Sequence, residues 1–352
     1  MAKIDAFFKF MIDSNASDLH LSSGCRPQIR KYGELEEIKY KVLSDDILEP
    51  LLFEIISEKQ KEYFLKNKDL DFAYEISGVA RFRANYFLQK RGLCAVFRII
   101  PDKILSIEDL GLPNTILKFA KLNRGLVLVT GPTGSGKSTT LAAIIDYINK
   151  NRRDHILTIE DPVEFVHESK QCLVNHREIG AHTKSFAAAL RAALREDPDI
   201  ILVGEMRDLE TIELAITAAE TGHLVFGTLH TNSAAKTIDR IIDIFPAGQQ
   251  AQIRSMLSES LKGVIAQQLL KRADKPGRIA ALEILSVNSA IANLIREGKT
   301  FQISSVIQTG KNEGMQLMDQ ALMDLLMNKT ISPLDAYLKA NDKRSFERFL
   351  NS

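Results

Sequence analysis

Residues 131–138 read Gly-Pro-Thr-Gly-Ser-Gly-Lys-Ser, which matches the G-x-x-x-x-G-K-[ST] spacing of a phosphate-binding loop. The loop follows an apolar run and precedes the helical pattern TTLAAIIDYIN. Its glycines let backbone N–H groups surround phosphate oxygens, Lys137 reaches the outer phosphates, and Ser138 offers a hydroxyl to Mg²⁺. The sequence thus predicts a loop that binds nucleotide phosphates, which a kinase, a GTPase or a sensor that never hydrolyses would also use. The predicted nucleotide-binding residues of the loop are Gly131, Pro132, Thr133, Gly134, Ser135, Gly136, Lys137, Ser138 and Thr139.

Acidic residues follow two further apolar runs. A buried-strand pattern at 200–203 leads to Glu205, and we expect this strand beside the one that carries the loop. There Glu205 would deprotonate water or hold the magnesium shell, with helix capping as the alternative. Glu160, Asp161 and Glu164 in ILTIEDPVEF suit magnesium or water positioning, with a solvated acidic loop as the alternative. The predicted metal ligands are Ser138, Glu160 and Glu205.

Two histidines flank the strand pattern LVFGTL. His223 and His230 lie at its opposite ends, so they cannot chelate one metal ion. We predict that they sense the terminal phosphate or bridge subunits, and a purely structural role is the alternative.

Arginines can neutralise charge on a transferred phosphoryl group. Arg81 and Arg83 share one face of a predicted strand by the two-residue period. Arg191 and Arg195, four residues apart, would share a helix face. A solvent-facing basic strand is the alternative for the first pair. Further candidates are Arg98 and Arg207.

Composition indicates an ordinary globular protein. Of 352 residues 45% are hydrophobic and 26% charged, which excludes a disordered or fibrous chain. Lys and Arg number 46 against 45 Asp and Glu, so net charge gives no reason to expect a nucleic-acid partner. The three cysteines form neither a zinc motif nor a disulfide framework. The start of the chain predicts an amphipathic helix rather than a signal peptide, and we expect a cytoplasmic protein.

The pattern along the chain predicts two domains. Residues 1–100 mix helical and alternating segments, which predicts an α+β domain with an antiparallel meander. Residues 101–124, with two prolines, predict an interdomain linker. In 125–352, short continuous apolar runs predict a mostly parallel sheet between helices. The end of this domain is predicted to be a helical appendage, including one long helix over 249–271.

The motifs GPTGSGKST, TIEDPVEF, LREDPDIILVGEMRD and TAAETGHLVFGTLHTNSA, in this order, closely resemble PilT-type pilus retraction ATPases of the secretion-ATPase superfamily. The resemblance covers essentially the whole chain. It implies an α/β and α+β fold, with a PAS-like N-terminal domain and a RecA-like P-loop NTPase domain that carries C-terminal helices. It also implies a homohexamer that hydrolyses Mg-ATP to drive pilus depolymerisation and twitching motility. Such a ring is expected at the cytoplasmic face of the inner membrane, held through the pilus platform protein.

The resemblance also implies residue roles. Residues 131–139 would form the Walker A loop, Glu160 and Glu164 the acidic box, and Glu205 the base that ends an atypical Walker B strand. The two histidines would form a histidine box. Arginines implied near the nucleotide when the domains close are Arg81, Arg83 and Arg98, with Arg195 and Arg207 as further candidates.

Two features of the sequence bear on which member of the superfamily the chain resembles. One cysteine after the predicted linker, Cys172, favours the retraction type over secretion ATPases with a four-cysteine zinc module. Residues 290–297 read AIANLIRE, and Ala292 stands where the retraction pattern AIRNLIRE has arginine. Two alternatives remain: a traffic ATPase of a related secretion or DNA-transfer system, and an ATP-dependent assembly switch that scarcely hydrolyses.

Overall fold

The chain forms two compact units, one ending at Lys103 and the other beginning at Ile104. This computed structural model describes residues 2–31, 33–100 and 103–350. Tyr32 of the predicted hairpin, and Pro101 and Asp102 of the predicted linker, lie outside the described residues. In the described part of the chain, no helix is long and apolar enough to cross a membrane.

The first unit packs helices against a six-stranded antiparallel sheet. Its strand order is β3-β2-β1-β6-β5-β4. Helix α1 buries Phe7, Phe8 and Met11 on one face, and the Phe8 ring stacks on Phe82 at 4.3 Å between centroids. The α+β fold predicted for this part of the chain is confirmed. Its elements are α1 (Asp5–Asp13), β1 (Asp18–Ser22), β2 (Gln28–Lys31), β3 (Glu34–Glu37), α2 (Asp45–Phe53), α3 (Glu58–Asn67), β4 (Asp69–Ile76), β5 (Ala80–Gln89) and β6 (Gly92–Ile100).

The second unit is a seven-stranded sheet between helices. The order is β13-β12-β7-β11-β10-β8-β9, and all neighbours are parallel except β12 and β13. Every residue of β7, β10 and β11 is buried, as the continuous apolar runs predicted. The first elements are α4 (Ile116–Ala120), β7 (Gly125–Thr130), α5 (Lys137–Asn151), β8 (His155–Glu160), β9 (Leu173–Glu178), α6 (Phe186–Ala193), β10 (Ile200–Val203), α7 (Leu209–Glu220) and β11 (Leu224–Leu229). The remaining elements are α8 (Ala234–Asp243), α9 (Ala247–Ser260), β12 (Leu261–Lys271), β13 (Arg278–Ser286), α10 (Ser289–Arg296), α11 (Ile303–Thr309), α12 (Met318–Met327), α13 (Pro333–Lys339) and α14 (Arg344–Glu347).

Two predictions about this sheet are wrong. The long helix over 249–271 ends at Ser260, and its second half is β12, which pairs with β7 on one side and β13 on the other. Most of β12 is buried, and strand pairing on both sides outweighs the helical periodicity of its sequence. The strand that leads to Glu205, β10, does not neighbour β7, because β11 lies between them.

Most of the segment predicted as a linker packs into the second unit. Ile107, Leu112, Ile116 and Phe119 are buried in one hydrophobic cluster with strand residues of the sheet. Phe119 lies against Gly263 of β12, where a Cβ would come within 2.2 Å of the ring. This close approach requires glycine at position 263.

Candidate functional site

The phosphate loop joins the end of β7 to the start of α5. Gly131 has φ +147° and Gly136, the N-cap of α5, has φ +88°, so both residues adopt backbone conformations that L side chains rarely take. A Cβ on Gly131 would lie 2.3 Å from the carbonyl oxygen of Gln267. Helix α5 begins at Lys137, directly after the loop, so its first N–H groups are available to an anion.

Lys137 lies among acidic groups. Its Nζ donates to the carbonyl oxygens of Gly131 at 2.9 Å and Pro132 at 3.1 Å. Partial burial lowers the pKa of Lys137, and the nearby carboxylates of Glu205 and Glu164 oppose that shift. The structure therefore brings the loop lysine, the predicted base and one member of the predicted acidic box together.

Glu205 follows β10 and is held from two directions. His230 Nε2 lies 2.8 Å from Glu205 Oε1, and Arg207 Nη2 donates to Oε2 at 2.6 Å. Burial raises the pKa of Glu205, but hydrogen bonds and charge from Arg207 and His230 outweigh it, and the net shift is downward. The carboxylate is ionised at neutral pH and fixed in orientation, as a base that receives a proton from water must be.

Glu160 ends β8 in a drier environment. Burial raises its pKa to about 7, although the Thr158 hydroxyl and the backbone N–H of Glu164 favour the charged form. Its Oε1 has no hydrogen-bond partner among the described residues, and His176 Nδ1 lies 3.9 Å away. Glu160 and Ser138 line one small cavity of about 30 Å³. Two of the three predicted metal ligands therefore share a cavity.

The two histidines are separated by the length of β11. His230 follows the carboxyl end of the strand and contacts Glu205. His223 precedes the other end, where its Nδ1 lies 2.9 Å from the carbonyl oxygen of Ala218. The structure does not bring His223 to the phosphate loop of its own chain.

Three first-unit arginines share one sheet face. Arg81 and Arg83 alternate with buried residues of β5, as predicted, and Arg83 is the direct cross-strand partner of Arg98. Arg98 Nε donates to Asp18 at 2.7 Å, and Arg81 Nε lies 3.5 Å from Glu75. This sheet face is therefore basic, and two of its arginines, Arg98 and Arg81, have acidic partners.

The prediction that Arg191 and Arg195 share a helix face is wrong. Helix α6 ends at Ala193, so Arg195 lies beyond it, in an exposed turn. Arg191 pairs with Glu210 on the surface. A short helix that ends early removes the four-residue periodicity on which the prediction depended.

One buried residue of the site was missed. Gln267 of β12 donates from Nε2 to the carbonyl oxygen of Ser135 and accepts at Oε1 from the Thr140 hydroxyl, both at 2.7 Å. No sequence pattern pointed to Gln267, since a glutamine within a predicted amphipathic helix is expected on the surface.

The carboxyl ends of β7, β11, β10 and β8 meet at one edge, where the phosphate loop faces two carboxylates and a histidine. This arrangement defines a RecA-like P-loop nucleotide-binding domain. Within residues 2–31, 33–100 and 103–350, no group of three or more His, Cys, Asp or Glu is arranged to hold a metal ion. A magnesium site would therefore need oxygen ligands from the nucleotide and water as well.

The chain belongs to the Type II/IV secretion system protein family, which matches residues 3–332. It is 55% identical over 343 residues to the type IV pilus retraction ATPase PilT of Pseudomonas aeruginosa, covering 97% of this chain and 99% of that protein. It is 56% identical over 321 residues to a twitching motility protein of Neisseria gonorrhoeae, covering 91% and 86%.

Solved structures are similar over nearly the full length. The pilus retraction motor PilT with bound ADP superposes with a TM-score of 0.90 at 47% identity, covering 99% of each chain. The Legionella pneumophila ATPase DotB superposes with a TM-score of 0.81 at 31% identity, covering 95% and 94%. Both similarities extend across the two units described above.

Proposed function

We propose that this chain is the subunit of an ATP-hydrolysing motor that powers type IV pilus retraction and twitching motility. The observation that carries the proposal is the Glu205 carboxylate, oriented by His230 and Arg207 and electrostatically coupled to Lys137 of the phosphate loop. The sequence relatives supply the biological context, since two proteins more than half identical to this chain are named for pilus retraction and for twitching motility.

Each residue has a defined task in hydrolysis. Loop N–H groups and Lys137 bind the β- and γ-phosphates, and Glu205 accepts a proton from the attacking water. The water oxygen bonds to the γ-phosphorus while the bond to the β-γ bridging oxygen breaks, which yields ADP and phosphate. His230 keeps the Glu205 carboxylate aimed at the water.

Ser138 and Glu160 fit a magnesium ion. A hydroxyl and a carboxylate with one unpartnered oxygen line the same cavity, and oxygen ligands are those that Mg²⁺ prefers. When bound, Mg²⁺ would neutralise charge on the phosphates. Glu205 would contribute through water rather than as a direct ligand, because His230 and Arg207 already engage its oxygens.

The motor is proposed to act as a homohexameric ring at the cytoplasmic face of the inner membrane, bound to the pilus platform protein. Arg81, Arg83 and Arg98 would complete the nucleotide site of a neighbouring subunit, as an arginine finger does. His223 and Arg195 would contribute to a nucleotide site only in the assembled ring, whereas Arg207 would act within its own chain by holding Glu205.

We keep residues 1–100 and 125–352 as the two proposed domains. ATP hydrolysis would be coupled to rotation of the two domains about 101–124, and residues from Ile107 to Phe119 would move with the second domain because they pack in the second unit. Labels placed on the two domains should change separation between ATP and ADP states. An identical separation in both states would contradict this coupling.

The direct test is steady-state ATP hydrolysis with Mg²⁺ across a protein concentration series. Wild type should gain turnover as it assembles. Glu205→Gln should lose about 10²- to 10⁴-fold in kcat while still binding nucleotide, and Lys137→Ala should lose binding. Binding without hydrolysis at every concentration would replace the motor with an ATP-dependent assembly switch.

The similarity to DotB favours a second candidate, a traffic ATPase of a related secretion system. Both candidates share the ATP chemistry, so the test is biological. In cells that lack their retraction ATPase, this chain should restore twitching, and Ala292→Arg, on half-buried α10, should change twitching without changing hydrolysis. No twitching with either form, despite full ATPase activity, would support the traffic ATPase.

A further inference from the structure

One side chain of β12, the strand that pairs with β7, forms a hydrogen bond to the phosphate loop. Gln267 is 2% exposed, and both ends of its amide are engaged: Nε2 by the Ser135 carbonyl and Oε1 by the Thr140 hydroxyl, each at 2.7 Å. We propose that Gln267 is a positioning residue that holds the loop in its nucleotide-receiving shape and thereby sets nucleotide affinity. The proposal rests on the proposed function of the loop as an ATP site.

The hydrogen bond to Ser135 fixes a peptide plane. In a trans peptide the C=O of one residue and the N–H of the next point in opposite directions. Because the Ser135 carbonyl points to Gln267, the Gly136 N–H must point away from β12. That N–H immediately precedes α5, where backbone donors bind phosphate oxygens. Gln267 therefore orients a loop donor without touching the ligand.

The second hydrogen bond ties the loop to its helix. Thr140 lies one turn into α5, and its hydroxyl donates to Oε1 of the same amide. A glutamine can donate and accept at once, which neither a carboxylate nor an apolar side chain of similar size can do. The amide thus joins the loop, the first turn of α5 and the strand beside β7 in one buried contact.

Packing makes this contact sensitive to small changes. A Cβ on Gly131 would lie 2.3 Å from the backbone oxygen of Gln267, and one on Gly136 would lie 2.8 Å from its Nε2. Gln267 therefore contacts both the first and the last glycine of the loop. A loop that moved away from β12 would lose the hydrogen bond between Gln267 Nε2 and the Ser135 carbonyl oxygen.

The chain contains a matched control at the next position. Gln268 is the same residue type on the same strand, but its side chain points to the opposite sheet face. It is only half-buried, and its Nε2 lies 3.4 Å from the carbonyl oxygen of Lys339. Substitutions there test strand stability without touching the phosphate loop.

The experiment compares Gln267→Met and Gln267→Glu with the same two changes at Gln268. Kd values for ADP and ATP with Mg²⁺, kcat, KM and thermal unfolding are measured on the full chain. Both Gln267 variants should raise Kd and KM by about 10- to 100-fold while kcat at saturation stays within about threefold of wild type. Gln268 variants should bind nucleotide as wild type does.

Thr140→Val and the double variant separate positioning from stability. Thr140→Val should weaken binding by a smaller factor, and adding Gln267→Met should weaken it less than the product of the two single effects. If the Gln267 variants do not fold, the nucleotide affinity of Thr140→Val alone tests the proposal. This variant replaces one hydroxyl by a methyl group of similar size, so it removes the hydrogen bond with little change in packing. Wild-type affinity in folded Gln267 or Thr140 variants would overturn the proposal, as would equal losses at Gln268. Absence of nucleotide binding by wild type, with Lys137→Ala unchanged, would instead reject the proposed function.

Discussion

His167 and His176 stack with ring centroids 5.9 Å apart and an angle of 17° between the ring planes. The His167 backbone N–H also donates to Nε2 of His176 at 3.0 Å. His167 is 5% exposed and lines the cavity that contains Ser138 and Glu160. The His167 ring therefore forms part of the wall of the proposed magnesium site, and His176 packs against that ring.

Stability should fall between neutral and acidic pH because of His167. Burial, and then the neighbouring His176, lower its pKa from 6.5 to about 4, while Asp146 opposes the shift and Lys170 adds to it. Below pH 6.5 the unfolded chain takes up a proton that the folded chain does not, so folding is progressively disfavoured until about pH 4. The loss attributable to this residue is about 3 kcal/mol.

Denaturant unfolding of wild type and His167→Phe at several pH values measures this pH-dependent loss of stability. Phenylalanine preserves a stacked ring and cannot be protonated. The difference between the two unfolding free energies should change in favour of the variant as pH falls from 7 to 4. Parallel pH profiles would show that His167 binds protons equally in both states.

His230→Ala should lower kcat by about 10- to 100-fold, because Glu205 loses one of the two groups that orient it. ADP affinity should change little, since the hydrogen-bond partner of the His230 ring is the Glu205 carboxylate. His230→Gln, which keeps an N–H donor, should recover part of the activity. Equal loss in both variants would mean that imidazole acts by another route than donation to Glu205.

Mixed rings test whether first-unit arginines act on a neighbouring subunit. Arg83→Ala and Glu205→Gln should each be inactive alone. If Arg83 acts across the interface, a random one-to-one mixture regains activity at about a quarter of its sites, where each variant supplies what the other lacks. If both residues serve the same subunit's site, mixing restores nothing.

Gly131→Ala and Gly134→Ala should separate steric from conformational effects in the loop. At Gly131 the new Cβ collides with the Gln267 carbonyl and the Ser135 hydroxyl, so nucleotide binding should be lost. Gly134 has φ +77° but nothing within 4 Å of a Cβ. Its substitution should cost about 1 kcal/mol of backbone strain. ADP titrations and thermal unfolding of both variants check this; similar binding by the two would show that the loop can move off β12.

Local sequence patterns predicted most of the individual elements. The alternation in β4, β5 and β6 and the spacing of the phosphate loop are properties of short segments, so they could be predicted from the local sequence. Strand order is a property of the whole sheet, and for this reason the position of β10 was predicted wrongly. Strand β12 was predicted as helix from the periodicity of its own residues. Its conformation is decided instead by pairing with β7 and β13, the strands on either side of it.

Gln267 illustrates the same limit at the level of the site. Its importance depends on the interior position of β12, so an incorrect helix assignment concealed it. Glu205 and His230 could be proposed from their places after apolar runs, but their contact could not. The contact requires β10 and β11 to be neighbours in register, which only the folded sheet shows.

The placement of β11 between β7 and β10 sets the distance between the strand of the phosphate loop and the strand of the predicted base. Two inter-strand spacings, about 9.5 Å, separate the strand that ends at the phosphate loop from the strand that ends at the base. His230 follows the carboxyl end of the strand that fills this interval, so it reaches Glu205 from the neighbouring strand. The intervening strand therefore spaces the phosphate loop from the predicted base and carries, at its end, the imidazole that contacts that base.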